Sequence, residues 1–344
     1  MRALARISTG AIERNAARLA GLGAPLCAVV KSNGYGHGAV QAARAAQRGG
    51  AAWLAVATAV EAAELRAAGI DGPLLVLGAL APDELRIALE ADADVVAWRE
   101  AFVDGLPASA RVHVKLDTGM GRLGTRDAAE GERVAAAAGS RLVGIMTHFA
   151  TSDDDPAFMH QQLERFVPWA DQFGVMRHAA NSAGALGEPA ARLDLIRCGI
   201  ALYGMDPFHR DPAEHGLEPA LSLVSYVAEV KRARAGESVG YGRRFIAARD
   251  TWIGTIPIGY GDGYRRGLTG VGEVLLDGRR VPLAGTVSMD NITVDLGDEP
   301  VERGTEAVLI GAGLLAEDMA AKLGTINYEI TCGLTARVPR EYVP

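Results

Sequence analysis

Eight short apolar runs, each followed by a helix-like segment, constrain the fold of the first two-thirds of this 344-residue chain more than any other feature. The runs occupy residues 26–30, 53–57, 74–78, 94–98, 112–116, 142–146, 175–179 and 195–199. Between them, segments such as 39–49, 59–69 and 82–92 carry apolar residues at helical spacing. Continuous apolar strands that alternate with helices are typical of parallel strands buried on both faces.

Two parallel architectures fit this alternation. Eight strand–helix units in about 200 residues favour a (β/α)8 barrel. A doubly wound open sheet would instead place a glycine-rich phosphate loop directly after the first strand, where this chain has Lys31. We therefore predict an α/β fold with a TIM-like barrel over residues 9–215, in which Gly49, Gly69 and Gly139 follow helix ends.

The pattern changes after about residue 215. Strand-like runs at 221–230, 252–259, 272–278, 291–297 and 306–311 are separated by glycine and charged residues, with little helix before 316–323. The segment 206–219 contains three prolines and mixed charge, which is typical of a linker. These features predict a mostly β C-terminal domain over residues 216–344.

Composition excludes several functional classes. The chain has 35 basic and 42 acidic residues without a basic stripe, which argues against nucleic-acid binding. Glu13 and three arginines interrupt the N-terminal segment, and no apolar run approaches the roughly 20 residues of a membrane span. The three cysteines are widely spaced, which is not the pattern of a disulfide framework or a zinc cluster. We expect a cytoplasmic enzyme.

Reactive side chains cluster at the predicted strand exits, where barrel enzymes build their active sites. The exits carry Lys31, Lys115, Arg122, His148, Asn181, Ser182, Arg197, Gly199 and Ile200. A lysine that desolvation deprotonates is an amine nucleophile, although Lys31 could also be a structural lysine whose head reaches solvent. Arg197 lies inside an apolar run and therefore needs a buried partner. The acidic run 153–155 is expected to be a solvated loop.

Eight motifs, in order along almost the whole chain, resemble those of the alanine racemase family. They are AVVKSNGYGHG (28–38), VKLDTGMGRLG (114–124), THFATSD (147–153), HAANSAG (178–184), IRCGIALYG (196–204), GYGDGYRR (259–266), SMDN (288–291) and TINYEI (325–330). The resemblance implies a barrel that binds pyridoxal 5′-phosphate (PLP) and a β domain completed by an N-terminal strand, residues 1–8. It also implies a homodimer with shared active sites that interconverts L- and D-alanine and supplies D-alanine for peptidoglycan.

The resemblance also implies residue roles. Lys31 would form the internal aldimine with PLP and act as the base on the D-face, while Tyr241 of the other subunit would be the L-face base. Arg197 would face the pyridine nitrogen. The phosphate-binding positions would be Tyr35, Ser182, Gly199, Ile200 and Tyr328.

Further positions concern the substrate. Arg122 and the partner's Met289 would hold the substrate carboxylate, and Lys115 matches a lysine that is carbamylated in some relatives. Tyr260 and Asp290 resemble entryway positions. The sequence departs from the usual family pattern at Ser32, Gly34 and Thr286 and after Gly242, which affects the entryway and the support around the tyrosine.

Racemisation removes the Cα proton on one face of the amino acid and returns one on the other, so it requires two bases. PLP delocalises the charge left on carbon. Free tyrosine has a pKa of about 10, so Tyr241 needs help to act near neutrality. Cationic neighbours can lower the pKa, and the candidate is His148, which would link Tyr241 towards Arg197. Arg197 only donates hydrogen bonds, and would therefore leave the ring nitrogen unprotonated and suppress transamination.

Three alternatives stay open at this point. A PLP-dependent amino-acid decarboxylase shares this barrel class, although the VGYG and SMDN motifs argue against it. A non-catalytic PLP-binding protein would generally be a barrel alone. A racemase of another small amino acid, such as serine, fits the same residues.

Overall fold

A computed structural model describes all residues, 1–344. The chain divides into two compact units, which we call the barrel unit (10–208 and 213–218) and the β unit (1–9, 209–212 and 219–344). Strand β1, Leu4–Ser8, begins the chain and belongs to the β unit. The domain limits expected from the sequence, 9–215 and 216–344, stay a prediction.

The barrel unit contains eight parallel strands. They are β2 Leu26–Val29, β3 Trp53–Val56, β4 Leu74–Val76, β5 Asp94–Ala97, β6 Val112–Lys115, β7 Leu142–Met146, β8 Met176–His178 and β9 Ile196–Cys198. Each of β2 to β7 pairs with the next strand in the chain, and β2 also pairs with β9. Between β8 and β9, the Arg197 N–H donates to the Ala180 carbonyl at 2.9 Å. The barrel prediction is confirmed, and the open doubly wound sheet is wrong because the first and last strands are neighbours.

Nine helices accompany these strands. They are α1 Thr9–Ala20, α2 Lys31–Tyr35, α3 Ala39–Arg48, α4 Ala59–Ala67, α5 Pro82–Glu90, α6 Glu100–Asp104, α7 Ala128–Ala138, α8 Pro156–Ala170 and α9 Ser182–Gly187. Local sequence explains several starts: Thr58 and Glu61 form a capping box at α4. Pro82 occupies the first turn of α5, where its missing N–H costs nothing.

Glycines follow three of these helices at the predicted positions. Gly69 and Gly139 have positive φ, at 74° and 52°, as expected for helix ends. Gly49 does not, at −76°. A Cβ on Gly49 would lie 2.3 Å from the Glu13 carbonyl oxygen of α1, so glycine is needed there for the close approach of two helices.

The β unit contains β1 and ten further strands, together with two helices. The strands are β10 Leu221–Tyr226, β11 Glu229–Ala233, β12 Ser238–Val239, β13 Phe245–Ile246, β14 Thr251–Ile256, β15 Glu273–Leu276, β16 Arg279–Pro282, β17 Ile292–Gly297, β18 Glu306–Ile310 and β19 Arg340–Val343. The helices are α10 Ala316–Leu323 and α11 Asn327–Cys332. The largest sheet has the order β16-β15-β18-β10-β1-β19, and β11-β14-β17 form a second sheet. The prediction of a mostly β C-terminal domain is confirmed.

The single strand predicted over 221–230 is wrong, because the structure has two strands there. β10 pairs with β1 and β18, whereas β11 pairs with β14 in another sheet. Between them, Val227 donates its N–H to the Thr305 carbonyl at 2.9 Å. None of the helices in either unit combines the length and the apolar character needed to cross a bilayer.

Candidate active site

Lys31 begins a left-handed turn at the exit of β2. Ser32, Asn33 and Tyr35 have φ values of 53°, 51° and 53°, and Gly34 lies between them at 61°. Left-handed backbone costs a non-glycine residue about 1–2 kcal/mol, so such a turn persists only where its surroundings hold it. The glycines of the sequence motif did not indicate that three non-glycine residues carry the left-handed conformation.

Side chains from the neighbouring segments hold this turn. The Asn33 side-chain oxygen accepts from the Ala39 N–H at 3.0 Å, which ties the turn to the start of α3. The Ser32 N–H donates to Glu61 at 2.6 Å, and Glu61 also caps α4. Lys31 itself is partly buried, with its Nζ 6.0 Å from the centre of the Tyr35 ring. The amine therefore projects from a fixed backbone.

Cationic groups converge on this end of the barrel unit. The charges of Lys31, Lys115, Arg122 and Arg197 all act on His148. Lys115, at the end of β6, is only 5% exposed. Burial, reinforced by the charges of Arg197 and Arg122, lowers the pKa of the Lys115 amine to about 8. The structure thus brings together the candidate side chains of four separate strand exits.

Arg197 is 3% exposed and donates to four acceptors. One terminal nitrogen lies 2.9 Å from His178 Nδ1. The other lies 2.9 Å from the carbonyls of Thr147 and Ala179 and 3.3 Å from His148 Nδ1. The sequence required a buried partner for Arg197, and the structure supplies two imidazoles and two carbonyls. Burial lowers the pKa of Arg197 to about 10, which leaves the guanidinium charged at neutral pH.

Both histidines beside Arg197 are held neutral. Burial, followed by the charge of Arg197, keeps the pKa of His148 and of His178 well below the ordinary histidine value. Because a guanidinium can only donate, each of these imidazoles must accept through Nδ1. A neutral imidazole that accepts at Nδ1 carries its proton on Nε2. His148 therefore offers an N–H donor on the side away from Arg197.

Hydroxyls and backbone N–H groups meet at the exits of β8 and β9. The Gly199 N–H lies 3.1 Å from Ser182 Oγ, and the Ala201 N–H lies 3.4 Å from it. A Cβ on Gly199 would lie 2.2 Å from the Tyr35 hydroxyl oxygen, so only glycine fits beside that side chain. Ile200 is buried and begins a short 3-10 helix, Ile200–Tyr203. Four of the five predicted phosphate-binding residues are therefore close together.

The loop after β6 is organised by Asp117. Burial alone would raise the pKa of Asp117, but N–H groups of Gly121 and Gly119 and the Arg126 side chain together lower it. The loop carries Arg122, which is exposed. In the acidic run, Asp155 caps α8 by accepting from the Phe158 N–H at 3.1 Å. This agrees with the expected solvated loop.

The β unit presents Tyr241, Tyr260 and Met289 on three separate loops. Tyr241 is 74% exposed, Met289 51% and Tyr260 41%. Thr286, a position at which the sequence departs from the family pattern, donates its hydroxyl to the Tyr241 carbonyl at 2.8 Å. The Tyr260 N–H donates to the Ser288 carbonyl at 3.0 Å, which joins the Tyr260 loop to the Met289 loop.

Two further candidates of the β unit are Asp290 and Tyr328. Asp290 accepts from Arg337 at 2.6 Å. Tyr328, partly buried, lies in the first turn of α11. The ion pair with Arg337 holds Asp290, and the helix positions Tyr328.

Sequence reasoning missed several residues of the barrel interior. Tyr203 donates its hydroxyl to the Val29 carbonyl at 3.1 Å, and its ring lies 5.1 Å from that of Tyr35. Asp94 and His113 are fully buried in β5 and β6. The available signal was the one that marked Arg197, a polar residue inside an apolar run.

Comparisons with known proteins agree along the whole chain. The alanine racemase N-terminal domain family matches residues 7–207, and the alanine racemase C-terminal domain family matches residues 220–342. An alanine racemase of Desulforamulus reducens is 40% identical over 98% of this chain and 98% of its own.

Solved structures give the same result. The biosynthetic alanine racemase of Pseudomonas aeruginosa is 40% identical, with full coverage of both chains and a TM-score of 0.93. An alanine racemase of Bacillus anthracis with bound L-Ala-P is 34% identical, covers 100% of this chain and 95% of its own, and has a TM-score of 0.90.

Proposed function

This chain belongs to the alanine racemase family and is a racemase, an isomerase; on that premise we propose that it interconverts L-alanine and D-alanine with PLP, Lys31 and Tyr241 being the two bases. The observation that carries the proposal is the meeting of Lys31, Arg197 and a neutral His148 at one end of the barrel. The D-alanine would serve as a peptidoglycan precursor.

The residues of the barrel exits fit PLP at each of its polar ends. Its aldehyde requires an amine, which Lys31 presents on the rigid left-handed turn. Its phosphate requires several donors, and Ser182, Tyr35 and the backbone at Gly199 surround one small space that a Cβ would fill. Ile200 and Tyr328 are proposed to complete that phosphate site. Arg197 would donate to the ring nitrogen.

PLP, when bound, supplies an electron sink that makes the Cα proton of an attached amino acid removable. Lys31 takes or returns this proton on the D-face, and Tyr241 of a second subunit does so on the L-face. A tyrosine must lose its phenol proton to act as a base, which its ordinary pKa of about 10 disfavours. The Nε2–H of His148, fixed by the donor-only Arg197, would donate to the phenolate oxygen and stabilise it.

Arg197 controls the outcome of the reaction as well as binding. Since a charged guanidinium has no lone pair to accept a hydrogen bond, it would leave the ring nitrogen of bound PLP without a proton. That would weaken the electron sink and favour return of the proton to Cα over transamination. The buried site keeps the guanidinium charged and in one orientation through its four hydrogen bonds.

The substrate carboxylate needs positive charge, and Arg122 and the backbone N–H of the partner's Met289 are proposed to bind it. We also propose that Lys115 is carbamylated. With its pKa at about 8, part of the amine is neutral near pH 7 and can attack CO2, releasing one proton. The resulting carbamate is an anion near the positive charges of Arg197 and Arg122. It therefore replaces the electrostatic repulsion between Lys115 and these arginines by attraction.

The active form is proposed to be a homodimer in which each site takes Tyr241 and Met289 from the other subunit. Their exposure, 74% and 51%, leaves both available to a second copy. Tyr260 and Asp290 would line the entryway, since Asp290 follows Met289 directly and hydrogen bonds join the Tyr260 loop to Ser288 and Met289.

The proposal is tested by D-alanine formation from L-alanine by purified protein with PLP. Lys31→Ala should abolish turnover and Tyr241→Phe should severely reduce it. Lys231→Ala and Tyr342→Phe are matched controls on exposed β-unit positions and should retain wild-type rates. Absence of turnover by the wild type would refute alanine racemisation, and parallel reactions with L-serine test the nearest alternative substrate.

Mixing two inactive variants tests whether the sites are shared. When Lys31→Ala and Tyr241→Phe subunits exchange at random, half of the dimers are mixed, and one of the two sites in each mixed dimer is intact. The mixture should therefore recover about one quarter of wild-type activity. No recovery after proven subunit exchange would place both bases in the same chain.

A further inference from the structure

A chain of buried hydrogen bonds runs from Arg197 across the interior of the barrel. Arg197 lies 2.9 Å from His178 Nδ1, and His178 Nε2 lies 2.8 Å from His113 Nδ1. His113 Nε2 then lies 3.1 Å from Asp94 Oδ2. The four side chains come from β9, β8, β6 and β5, and all are buried. The chain thus links the active-site guanidinium to a carboxylate at the opposite end of the strands.

The chemistry of its ends fixes the direction of every bond in this chain. Arg197 can only donate, so His178 accepts at Nδ1 and carries its proton on Nε2. That proton is donated to His113 Nδ1, which leaves the His113 proton on Nε2. The final acceptor is the carboxylate of Asp94, which also accepts from Arg111. Both imidazoles are therefore neutral Nε2–H tautomers that point the same way.

Neighbouring strands of the barrel leave room for the His113 imidazole. A Cβ on Gly144 of β7 would lie 2.1 Å from His113 Nδ1, so the neighbouring strand has room for the ring only because it has glycine there. The Trp53 ring meets the His113 ring edge-on, with centroids 5.7 Å apart. Buried polar groups are costly unless each one is paired, and here every nitrogen of the two imidazoles has a partner.

We propose that Asp94 and His113 are positioning residues for Arg197, which they hold in place through His178. This inference rests on the proposed function, in which Arg197 faces the cofactor ring. Without His113, the Nε2–H of His178 loses its acceptor. His178 could then move its proton to Nδ1, where it would point at a guanidinium that also only donates. The guanidinium would shift, and its control of the ring nitrogen would weaken.

The expected kinetic effect differs from that of a lost substrate contact. The series of hydrogen bonds from Arg197 to Asp94 includes neither Arg122 nor Met289. His113→Leu should therefore lower kcat with little change in KM for alanine. By analogy with the outer partners of metal-bound histidines, the loss in kcat should be roughly tenfold or more. The fraction of turnovers that release pyruvate, the product of transamination, should rise. Asp94→Asn keeps an acceptor for His113 but removes the charge, and should give a smaller effect in the same direction.

Nitrogen-15 NMR of histidine-labelled protein tests the hydrogen-bond direction independently of activity. In the holoenzyme and the apoenzyme, His113 and His178 should both be neutral Nε2–H tautomers near neutral pH. The His178 Nε2–H signal should shift and exchange faster in His113→Leu. His160→Leu is the matched control, because His160 also pairs with a carboxylate, Glu188, but on the surface. Its kcat and pyruvate fraction should equal those of the wild type.

Several results would overturn the inference. An Nδ1–H tautomer or a cationic ring at either histidine would contradict the direction of the chain. Wild-type kcat and pyruvate fraction in both His113→Leu and Asp94→Asn would contradict the positioning role, and Asp94→Asn alone decides this if His113→Leu does not fold. A wild-type protein that does not racemise alanine would defeat the proposed function, while the NMR spectra would still decide the direction of the hydrogen bonds.

Discussion

Replacing Lys115 by methionine should stabilise the apoenzyme at neutral pH. Lys115 is buried beside Arg197 and Arg122, and its pKa falls from 10.5 to about 8. The difference of about 2.5 pKa units, at about 1.36 kcal/mol for each, corresponds to about 3 kcal/mol of unfavourable free energy in the protonated folded state. Methionine has a similar length and no charge, so Lys115→Met should remove most of this unfavourable free energy.

The sign of the pH dependence follows from the same pKa values. Between about pH 8 and pH 10.5 the folded protein releases the Lys115 proton while the unfolded chain keeps it, so wild-type stability rises with pH across this window. Below about pH 8 the penalty is fully present. The advantage of Lys115→Met should therefore be largest near pH 7 and vanish by about pH 10.5.

Calorimetry of the apoenzyme in CO2-free buffer measures this directly. The midpoint of the Lys115→Met variant should lie roughly 4 °C above that of the wild type near pH 7, taking about 1.4 °C for each kcal/mol in a chain of 344 residues. Lys231→Met, at an exposed position of β11, should change stability by less than about 0.5 kcal/mol. Bicarbonate should stabilise the wild type but not Lys115→Met, because only the lysine can form a carbamate. An equal or lower midpoint for Lys115→Met in CO2-free buffer would refute the reasoning.

Two further predictions concern the cofactor site. Arg197→Glu should raise transamination relative to racemisation, because a carboxylate favours a protonated ring nitrogen. An unchanged ratio of pyruvate to racemised alanine would contradict this role of Arg197. Gly199→Ala should weaken PLP binding at least about fivefold, since its Cβ would lie 2.2 Å from the Tyr35 hydroxyl and overpacking costs about 1–3 kcal/mol. Titration of apoenzyme with PLP measures the latter, with Gly105→Ala, whose Cβ would meet only atoms at 3.7 Å or beyond, as the control.

The barrel could be predicted because its signals are local. Eight apolar runs mark the eight strands, and even the polar strand at 175–179 is present as β8. The prediction of a single strand over 221–230 was wrong because β10 and β11 pair with different strands. Residues 227–228 do not signal this change of pairing partner. Pairing partners are set by distant segments and leave little trace in a local pattern.

The candidate site was predictable in its residues but not in its hydrogen bonds. Lys31 and Arg197 were conspicuous because charged residues beside or inside apolar runs are costly. Asp94 and His113 carried the same signal, but their link to Arg197 depends on side chains from four strands meeting inside the barrel. The left-handed turn at 32–35 was not predictable either, because Asn33 and Glu61 hold it through contacts outside the motif.

The central claim is that Lys31 and Tyr241 act on opposite faces of the substrate. The most direct test measures exchange of the Cα hydrogen with D2O by Tyr241→Phe, separately for L-alanine and D-alanine and before any racemisation occurs. The account predicts that D-alanine still exchanges, through Lys31, while L-alanine does not. Equal exchange of the two enantiomers, or exchange of L-alanine alone, would contradict it.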